Sequence, residues 1–281
     1  MRSLLAATLL WALSFGLIKR HLSGLDPNFV AAARLLLALP LFLPLLRARG
    51  LGRGLALRLV AIGAIEYGVM YVVYIAAFRR AAAHEVALYT VLTPLYVALV
   101  HDAYARRFAW RNLGLAALAA VGAAVIVHRA EARVMWLGFG LLQVANLCFA
   151  WGQVAYRRER LRRPELRDHQ VFALLYLGGL AVTLPAATAT GAWASARGLG
   201  AAQVLSLLYL GVVASGLGFF LWNRGAVQVG PGALAVANNL KVPLGVVAAL
   251  TIFGEQADLA RLAIGGGLMV GAAALASRRA T

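Results

Sequence analysis

The sequence predicts an all-α polytopic membrane protein in which ten transmembrane helices form two inverted five-helix repeats. Composition is the first observation: 62% of the 281 residues are hydrophobic and 13% are charged, with a mean hydropathy of +0.80. Soluble domains are usually about half apolar and about a quarter charged. The second observation is a series of apolar stretches separated by basic loops. The third is a set of short motifs that recur in the same order in both halves.

Ten apolar segments have roughly the length of a membrane-spanning helix, which needs about 20 residues with about 17 as a lower limit. The segments are 3–18, 27–46, 59–78, 85–101, 113–128, 134–156, 169–190, 202–223, 231–253 and 262–277. Further spans follow the first one directly, so we predict that it is a retained helix rather than a cleaved signal peptide. Asp26 and Pro27 predict the beginning of the second span, because aspartate caps helices and proline favours the first helical position.

The basic residues predict the orientation. Ten spans place both termini on one side of the membrane. The loops on that side hold 17 of the 27 Lys and Arg residues, and the opposite loops hold 8. This excess predicts cytoplasmic termini, so topology explains the formal charge of +17 and no nucleic-acid partner is predicted. The two remaining cations, Arg34 and Lys241, lie inside spans, and Arg34 is predicted to be an anchor that reaches the membrane interface.

Three motifs recur in the same order in the two halves of the chain. The pairs are 121–126 (VGAAVI) with 270–275 (VGAAAL), Pro94 with Pro243, and Pro40 with Pro185. We therefore predict two five-helix units, residues 1–133 and 134–281. Because five is odd, the second unit enters the membrane from the opposite side, and such inverted repeats are typical of secondary transporters.

Motifs along the whole chain resemble the EamA-type transporters of the drug/metabolite transporter superfamily. They are LLWALSF in the first span, DPNFVAAARLLLALPL entering the second, HEVALYTVLTPLYVAL in the fourth, FLWNRGAVQVGPGALAVANNLKVPLGVVAAL across the eighth and ninth, and GEQ at 254–256. The stretch IEYGVMY, with Glu85-Val86 and Pro94, is similar to YddG-type aromatic amino acid exporters. One departure is the loop after the fourth span, where YARRFAW replaces the usual Gly-Glu pair.

The resemblance implies a carrier in the bacterial inner membrane that works by alternating access and exports small amphipathic metabolites. Amino acids, including aromatic ones, are the expected solutes. A carrier for other small metabolites or cationic drugs, and a passive channel, are the alternatives. The expected partners are therefore the solute and the lipid bilayer, and the oligomeric state is left open.

Two charged residues lie deep inside predicted spans. A charge at the bilayer centre costs about 2.5–3.5 kcal/mol on insertion scales. Lys241, near the middle of the ninth span, would line a polar cavity and meet a carboxylate or receive protons. Glu66, in the third span, would bind a substrate amine or carry a coupling proton. Alternatively, Lys241 and Glu66 form a structural ion pair.

Amide side chains in the sixth span share one helical face. Gln143, Asn146 and Gln153 are spaced by three and seven residues, which places them on one stripe. A single amide can join two helices, whereas three on one stripe indicate a water-filled cavity. Asn238, beside Asn239 in the ninth span, shares a face with Lys241.

Aromatic residues and prolines complete the predicted site. Tyr67, Tyr71 and Tyr74 follow one face of the third span, so we interpret them as the wall of a mixed apolar and hydrogen-bonding pocket. Pro94 and Pro243 predict helix breaks, because each removes a backbone hydrogen bond and frees a carbonyl for water, a side chain or a solute. The predicted substrate-binding residues are Trp11, Glu66, Tyr67, Tyr71, Tyr74, Tyr89, Thr93, Gln143, Asn146, Trp151, Asn238, Asn239 and Lys241.

Enzyme motifs are missing from the sequence. It contains no Walker A loop, no HExxH zinc motif and no GxSxG nucleophile elbow. The five histidines do not cluster, and the single cysteine, Cys148, excludes an internal disulfide. We therefore predict that the protein is not an enzyme and that it holds no cofactor and no metal.

Overall fold

Every regular element is helical in the part of the chain that the computed structural model describes, residues 1–22, 24–47, 50–78, 89–127, 136–240, 242–244, 247 and 258–277. We number ten helical segments in this part from α1 to α10. They are α1 (Arg2–Leu17), α2 (Pro27–Ala38), α3 (Arg53–Gly63, Ala64–Val69 and Met70–Phe78), α4 (Thr93–Ala105), α5 (Trp110–Val127), α6 (Trp136–Arg162), α7 (Asp168–Ala189), α8 (Ala201–Leu208, Tyr209–Gly218 and Phe219–Val227), α9 (Pro231–Ala237) and α10 (Leu259–Ser277). Each segment overlaps one predicted span.

Six stretches among the described residues are long and apolar enough to cross a membrane. They are Pro27–Leu45, Arg53–Tyr74, Trp136–Arg162, Asp168–Ala189, Ala201–Val227 and Leu259–Ala276, and the helices Arg2–Ser14 and Trp110–Ile126 are apolar but shorter. The prediction of an all-α, multi-pass membrane protein is therefore confirmed. The number of ten spans stays a prediction, because the fourth and ninth predicted spans lie partly outside the described residues.

The beginning of α2 agrees with its predicted cap. The side chain of Asp26 accepts a hydrogen bond of 2.8 Å from the backbone N–H of Asn28, and Pro27 is the first helical residue. The backbone N–H of Asp26 also donates to the hydroxyl of Ser195 at 2.9 Å. The entry of α2 is thus held both by local sequence and by the segment that follows α7.

Contacts between the two halves of the chain come in matching pairs. In the first half, α1 and α2 both pack on α8 of the second half. Their counterparts in the second half, α6 and α7, both pack on α3, which is the counterpart of α8. Equivalent helices also meet directly, since α2 contacts α7, α4 contacts α9 and α5 contacts α10. Two structurally related halves would produce this pattern of contacts.

The third helix of each half contains a π-helical segment. These segments are Ala64–Val69 in α3 and Tyr209–Gly218 in α8. π-Helices are rare in proteins and frequently occur at functional sites. Glu66 and Tyr67 lie in the first segment and Ser215 lies in the second, so both segments contribute to the site described below.

The backbones of α3 and α7 nearly touch where they cross. A Cβ atom added to Gly63 would lie 1.9 Å from the carbonyl oxygen of Leu175, and one added to Gly178 would lie 1.9 Å from that of Val60. Small residues at such crossings let membrane helices approach closely. The crossing therefore requires glycine on both helices.

The substitution Gly63→Ala is expected to destabilise the protein by about 1–3 kcal/mol, because the added methyl group must push α3 and α7 apart. Thermal unfolding in detergent, monitored by tryptophan fluorescence, measures this effect. Gly140→Ala in α6 is the matched control, since a Cβ atom there has no neighbour within 4 Å. Equal melting temperatures for the two variants would contradict the prediction.

Candidate functional site

Trp11 lies at the centre of an aromatic cluster formed by α1, α6 and α8. Its ring centroid lies 6.1 Å from that of Phe149, 5.2 Å from Phe219 and 5.1 Å from Trp222. The indole Nε1 donates to the carbonyl oxygen of Ala214 at 2.8 Å. Ala214 belongs to the π-helical segment of α8, so Trp11 joins the two halves through both ring packing and a hydrogen bond.

Tyr67 extends this cluster toward α7. Its ring stacks on Tyr176 at 5.6 Å and lies 4.5 Å from Phe219, centroid to centroid. The hydroxyl of Tyr176 donates to the carbonyl oxygen of Ser215 at 2.8 Å. The tyrosines of α3 and α7 therefore pack together, and one of them supplies a donor to the irregular backbone of α8.

Glu66 is fully buried between α3, α6 and α8. Its Oε1 accepts a hydrogen bond of 3.3 Å from Nδ2 of Asn223, which also donates to the hydroxyl of Tyr67 at 2.8 Å. Glu66 Oε2 and Asn223 Oδ1 have no hydrogen-bond partner among the described residues. The side chain of Glu66 packs directly against Gly152, where an added Cβ would lie 2.3 Å from the Glu66 Cβ.

No cation forms an ion pair with Glu66 within the described part of the chain. The titratable groups near it there include the phenols of Tyr67, Tyr156 and Tyr176. Lys241, the predicted partner of Glu66, lies outside the described residues. The ion pair between them stays a prediction.

Arg34 points toward α3 and α8 rather than toward the membrane interface. Its Nε donates to the hydroxyl of Ser215 at 3.0 Å, and its guanidinium carbon lies 4.9 Å from the centre of the Tyr71 ring. The hydroxyls of Tyr71 and Ser215 are 3.3 Å apart. The three side chains form one small polar group at the contact between the halves, which differs from the interface anchor that the sequence predicts.

The fourth span has an irregular turn immediately before α4. Residues 91 and 92 form a turn, and α4 begins at Thr93 with Pro94 in its first turn. Side chains from α4, from α6 and from the turn after α9 bind the carbonyl oxygens around this turn. Asn146 Nδ2 donates to the carbonyl oxygen of Tyr89 at 2.9 Å. The Thr93 hydroxyl donates to the carbonyl oxygen of Thr90 at 2.7 Å, and Asn239 Nδ2 donates to that of Val91 at 2.8 Å.

The ninth span is interrupted in a similar way. α9 ends at Ala237, and residues 238–240 form turns before Pro243. The backbone N–H of Val242 donates to the carbonyl oxygen of Asn239 at 2.9 Å. Each predicted proline position is thus accompanied by an interruption of its helix.

The amide stripe of α6 is divided between two sets of contacts. Asn146 binds the turn before α4, and its Nδ2 also donates to Oε1 of Gln143 at 3.2 Å. Gln153 exchanges two hydrogen bonds of 3.2 Å with the amide of Asn238 and accepts a third from Trp222 Nε1 at 3.1 Å. Asn146, Gln153 and Asn238 are buried, so in this conformation these amides join helices rather than line an open, water-filled cavity.

The other predicted residues lie at the edge of the aromatic cluster or beyond it. Trp151 is half-buried and packs against the main core. Tyr89 belongs to a separate small cluster, with its ring centroid 5.1 Å from that of Phe139, and Tyr74 packs against both clusters. Ser215 and Asn223 were not among the residues predicted from the sequence. Their signal was available, because both are polar residues within an apolar span.

The sequence model of the EamA-like transporter family matches residues 3–128 and residues 137–278. A solved crystal structure of a protein with 20% sequence identity has a TM-score of 0.79, covering 99% of this chain and 98% of that one. This likeness concerns the fold alone.

Curated bacterial proteins resemble the chain over almost its full length. A probable biotin transporter of Pseudomonas aeruginosa is 42% identical over 272 residues, which is 96% of this chain and 95% of that protein. The biotin transporter of Salmonella typhimurium is 39% identical, and that of Escherichia coli K12 is 38% identical. Both alignments cover 91% of this chain and 86% of the relative.

Proposed function

Since this chain belongs to the EamA-like transporter family, we propose that it carries biotin or a closely similar small carboxylic acid across the membrane. The observation that carries the proposal is the relationship, over nearly the full length, to proteins named biotin transporters. The predicted membership in the family is confirmed. The narrower likeness to aromatic amino acid exporters is not supported, and biotin replaces amino acids as the expected solute.

The chemistry of the site is compatible with such a solute. Biotin combines an apolar bicyclic body, which carries a urea group, with a flexible chain that ends in a carboxylate. Ligand sites usually combine apolar and aromatic walls with a few polar groups that set orientation. Here the ring of Phe219 packs against those of Trp11 and Tyr67. Asn223 donates to the Tyr67 hydroxyl, and Arg34 lies over the ring of Tyr71.

We infer that transport proceeds by alternating access of two related halves, residues 1–133 and 134–281. The matched helix contacts and the two separate stretches of family similarity support this division. The charge distribution supports cytoplasmic termini, and the bacterial relatives support an inner-membrane location. The substrate-binding residues predicted from the sequence, including Lys241, stay our proposal for the surface that the solute meets.

Glu66 is our candidate for a proton-carrying group. A buried carboxylate without a cation is costly in a membrane, whereas the protonated acid is neutral. Its only hydrogen-bond donor among the described residues is the Asn223 amide. The carboxyl group can therefore take up and release a proton without breaking an ion pair in that part of the chain.

Counterflow in proteoliposomes tests the proposed function. We expect unlabelled biotin inside the vesicles to stimulate uptake of radiolabelled biotin, because a carrier exchanges one solute molecule for another. Phenylalanine, tryptophan and threonine should give no stimulation, and protein-free liposomes serve as the control. Counterflow with the aromatic amino acids but not with biotin would contradict the proposal, and biotin flux without counterflow would indicate a channel.

A further inference from the structure

We propose that Arg34 binds the carboxylate of the transported solute, in a site completed by Tyr71 and Ser215. The inference rests on the proposed function, since it names the group that recognises the acid. It goes further by assigning this recognition to one cation in α2.

Arg34 lies inside the membrane-spanning part of α2. It is seven residues after Pro27, so the helix places it about 10 Å from the first residue of α2. Its side chain is half-buried and contacts Tyr71 of α3 and Ser215 of α8. The guanidinium group therefore lies where the two halves of the chain meet.

The charge of Arg34 has no carboxylate partner in the described part of the chain. Several arginines near the ends of helices do have such a partner. Arg160 pairs with Asp168 at 2.6 Å, Arg261 pairs with Asp258 at 3.2 Å, and Arg163 pairs with Glu159. A cation within a span is costly because little water solvates its charge there, so an anionic partner stabilises it more than it would stabilise a cation at a helix end. The solute can supply the missing charge.

The hydrogen bonds of Arg34 within the described part of the chain leave its two Nη groups available to bind a solute. Its Nε is bound to Ser215, while neither Nη atom donates to an acceptor among the described residues. The two Nη groups of a guanidinium can bind both oxygens of one carboxylate in a planar, bidentate pair. The Tyr71 ring beneath the guanidinium and the bond to Ser215 hold its plane, so the site is oriented before the solute arrives.

The site also joins elements from both halves. Arg34 and Tyr71 belong to the first half, whereas Ser215 lies in the π-helical segment of α8. A carboxylate held by Arg34 would therefore sit where rearrangement of one half against the other changes its surroundings. Such a position suits a solute that must be bound on one side and released on the other.

Competition between an acid and its ester tests the proposal in the unmodified protein. Purified protein in phosphatidylcholine nanodiscs is titrated with radiolabelled biotin, which is displaced by unlabelled biotin or by biotin methyl ester. We expect the acid to compete at least about tenfold better than the ester, because only the acid can form the bidentate pair. Equal competition by the two compounds would overturn the proposal while leaving biotin transport intact.

Variants at position 34 assign the preference to Arg34. In Arg34→Gln the advantage of the acid over the ester should disappear, and in Arg34→Lys it should be only partly retained because an ammonium group lacks the planar fork. Arg224→Gln is the matched control, since Arg224 is exposed at the end of α8 and should keep the wild-type preference. An unchanged preference in Arg34→Gln would overturn the assignment.

Two further arms separate this inference from the proposed function and from a role in lipid binding. If biotin does not bind, the proposed function fails. The same acid-against-ester comparison is then made with hexanoate and methyl hexanoate by thermal stabilisation, and an Arg34-dependent preference for the acid would still support the site. If Arg34 instead binds a lipid phosphate, Arg34→Gln should alter stability in phosphatidylglycerol nanodiscs without altering the preference for the acid, which would overturn the proposal.

Discussion

Replacing Glu66 with glutamine is expected to abolish proton-driven accumulation of the solute while leaving solute exchange intact. Glutamine has the shape of glutamic acid, so it should fit against Gly152 and keep a polar contact with Asn223. It cannot bind or release a proton. In proteoliposomes with an imposed proton gradient, uptake should therefore fall to the level of protein-free vesicles, whereas counterflow should continue at a rate close to that of the wild type.

A second carboxylate provides the control for this result. Glu165 is exposed between α6 and α7, and Glu165→Gln removes one negative charge without touching the buried group. We expect normal accumulation by Glu165→Gln. Full proton-driven accumulation by Glu66→Gln would show that Glu66 carries no coupling proton.

The pairing of Glu66 with Lys241 predicts a different result for stability. Breaking a buried ion pair by removing one partner typically costs about 3–5 kcal/mol. If the pair exists, Lys241→Met should be strongly destabilised and the double variant with Glu66→Gln should recover stability. If Lys241 instead meets the solute in a wet cavity, Lys241→Met should fold normally and transport poorly, and the double variant should not restore transport.

The helical nature of the fold could be predicted because it depends on local properties of the sequence. Long apolar stretches predict spanning helices, and Asp26 with Pro27 predicts the beginning of α2 because a cap acts within one turn. The interruption near Pro94 is local as well, since the missing N–H and the ring clash belong to that residue. None of these features requires knowledge of which helices are neighbours.

The contacts of the site could not be predicted in the same way. Helical spacing indicates which residues share a face, as it does for Gln143, Asn146 and Gln153, but it does not identify what that face meets. Asn146 binds α4 and the turn before it, whereas Gln153 binds α8 and Asn238, the residue just after α9. A water-filled cavity and a set of interhelical hydrogen bonds give the same spacing.

Arg34 and Asn223 illustrate this limit for charged and polar residues that lie within a few turns of a span end. Long cations in such positions often extend to the interface, so the sequence predicted an anchor at Arg34. Its partners are Tyr71 and Ser215, which are 37 and 181 residues away along the chain. Asn223 precedes the exposed Arg224, yet it is buried and binds Glu66 and Tyr67. Only the arrangement of α2, α3 and α8 in the folded chain brings these groups together.

The interrupted fourth span leads to the largest expected effect on stability. The combined Asn146→Leu and Asn239→Leu variant should be destabilised by about 2–6 kcal/mol, because each leucine removes a donor from a carbonyl and an unsatisfied buried polar group costs about 1–3 kcal/mol. The affected carbonyls are those of Tyr89 and Val91. Ordinary interhelical hydrogen bonds in membranes average only about 0.6 kcal/mol, so the size of the loss distinguishes capping of the interruption from general helix contact.

Removing the proline should compensate for the lost amides. In Pro94→Ala the backbone gains an N–H and loses the ring, so the helix can continue and its own N–H groups can reach the carbonyls of residues 89 to 91. Added to the double leucine variant, Pro94→Ala should therefore recover part of its stability. Thermal unfolding of the wild type, the proline variant, the double leucine variant and the triple variant gives the coupling energy. Pro164→Ala, in the exposed turn between α6 and α7, is the control. Strictly additive effects would mean that the two asparagines do not cap the interruption that Pro94 creates.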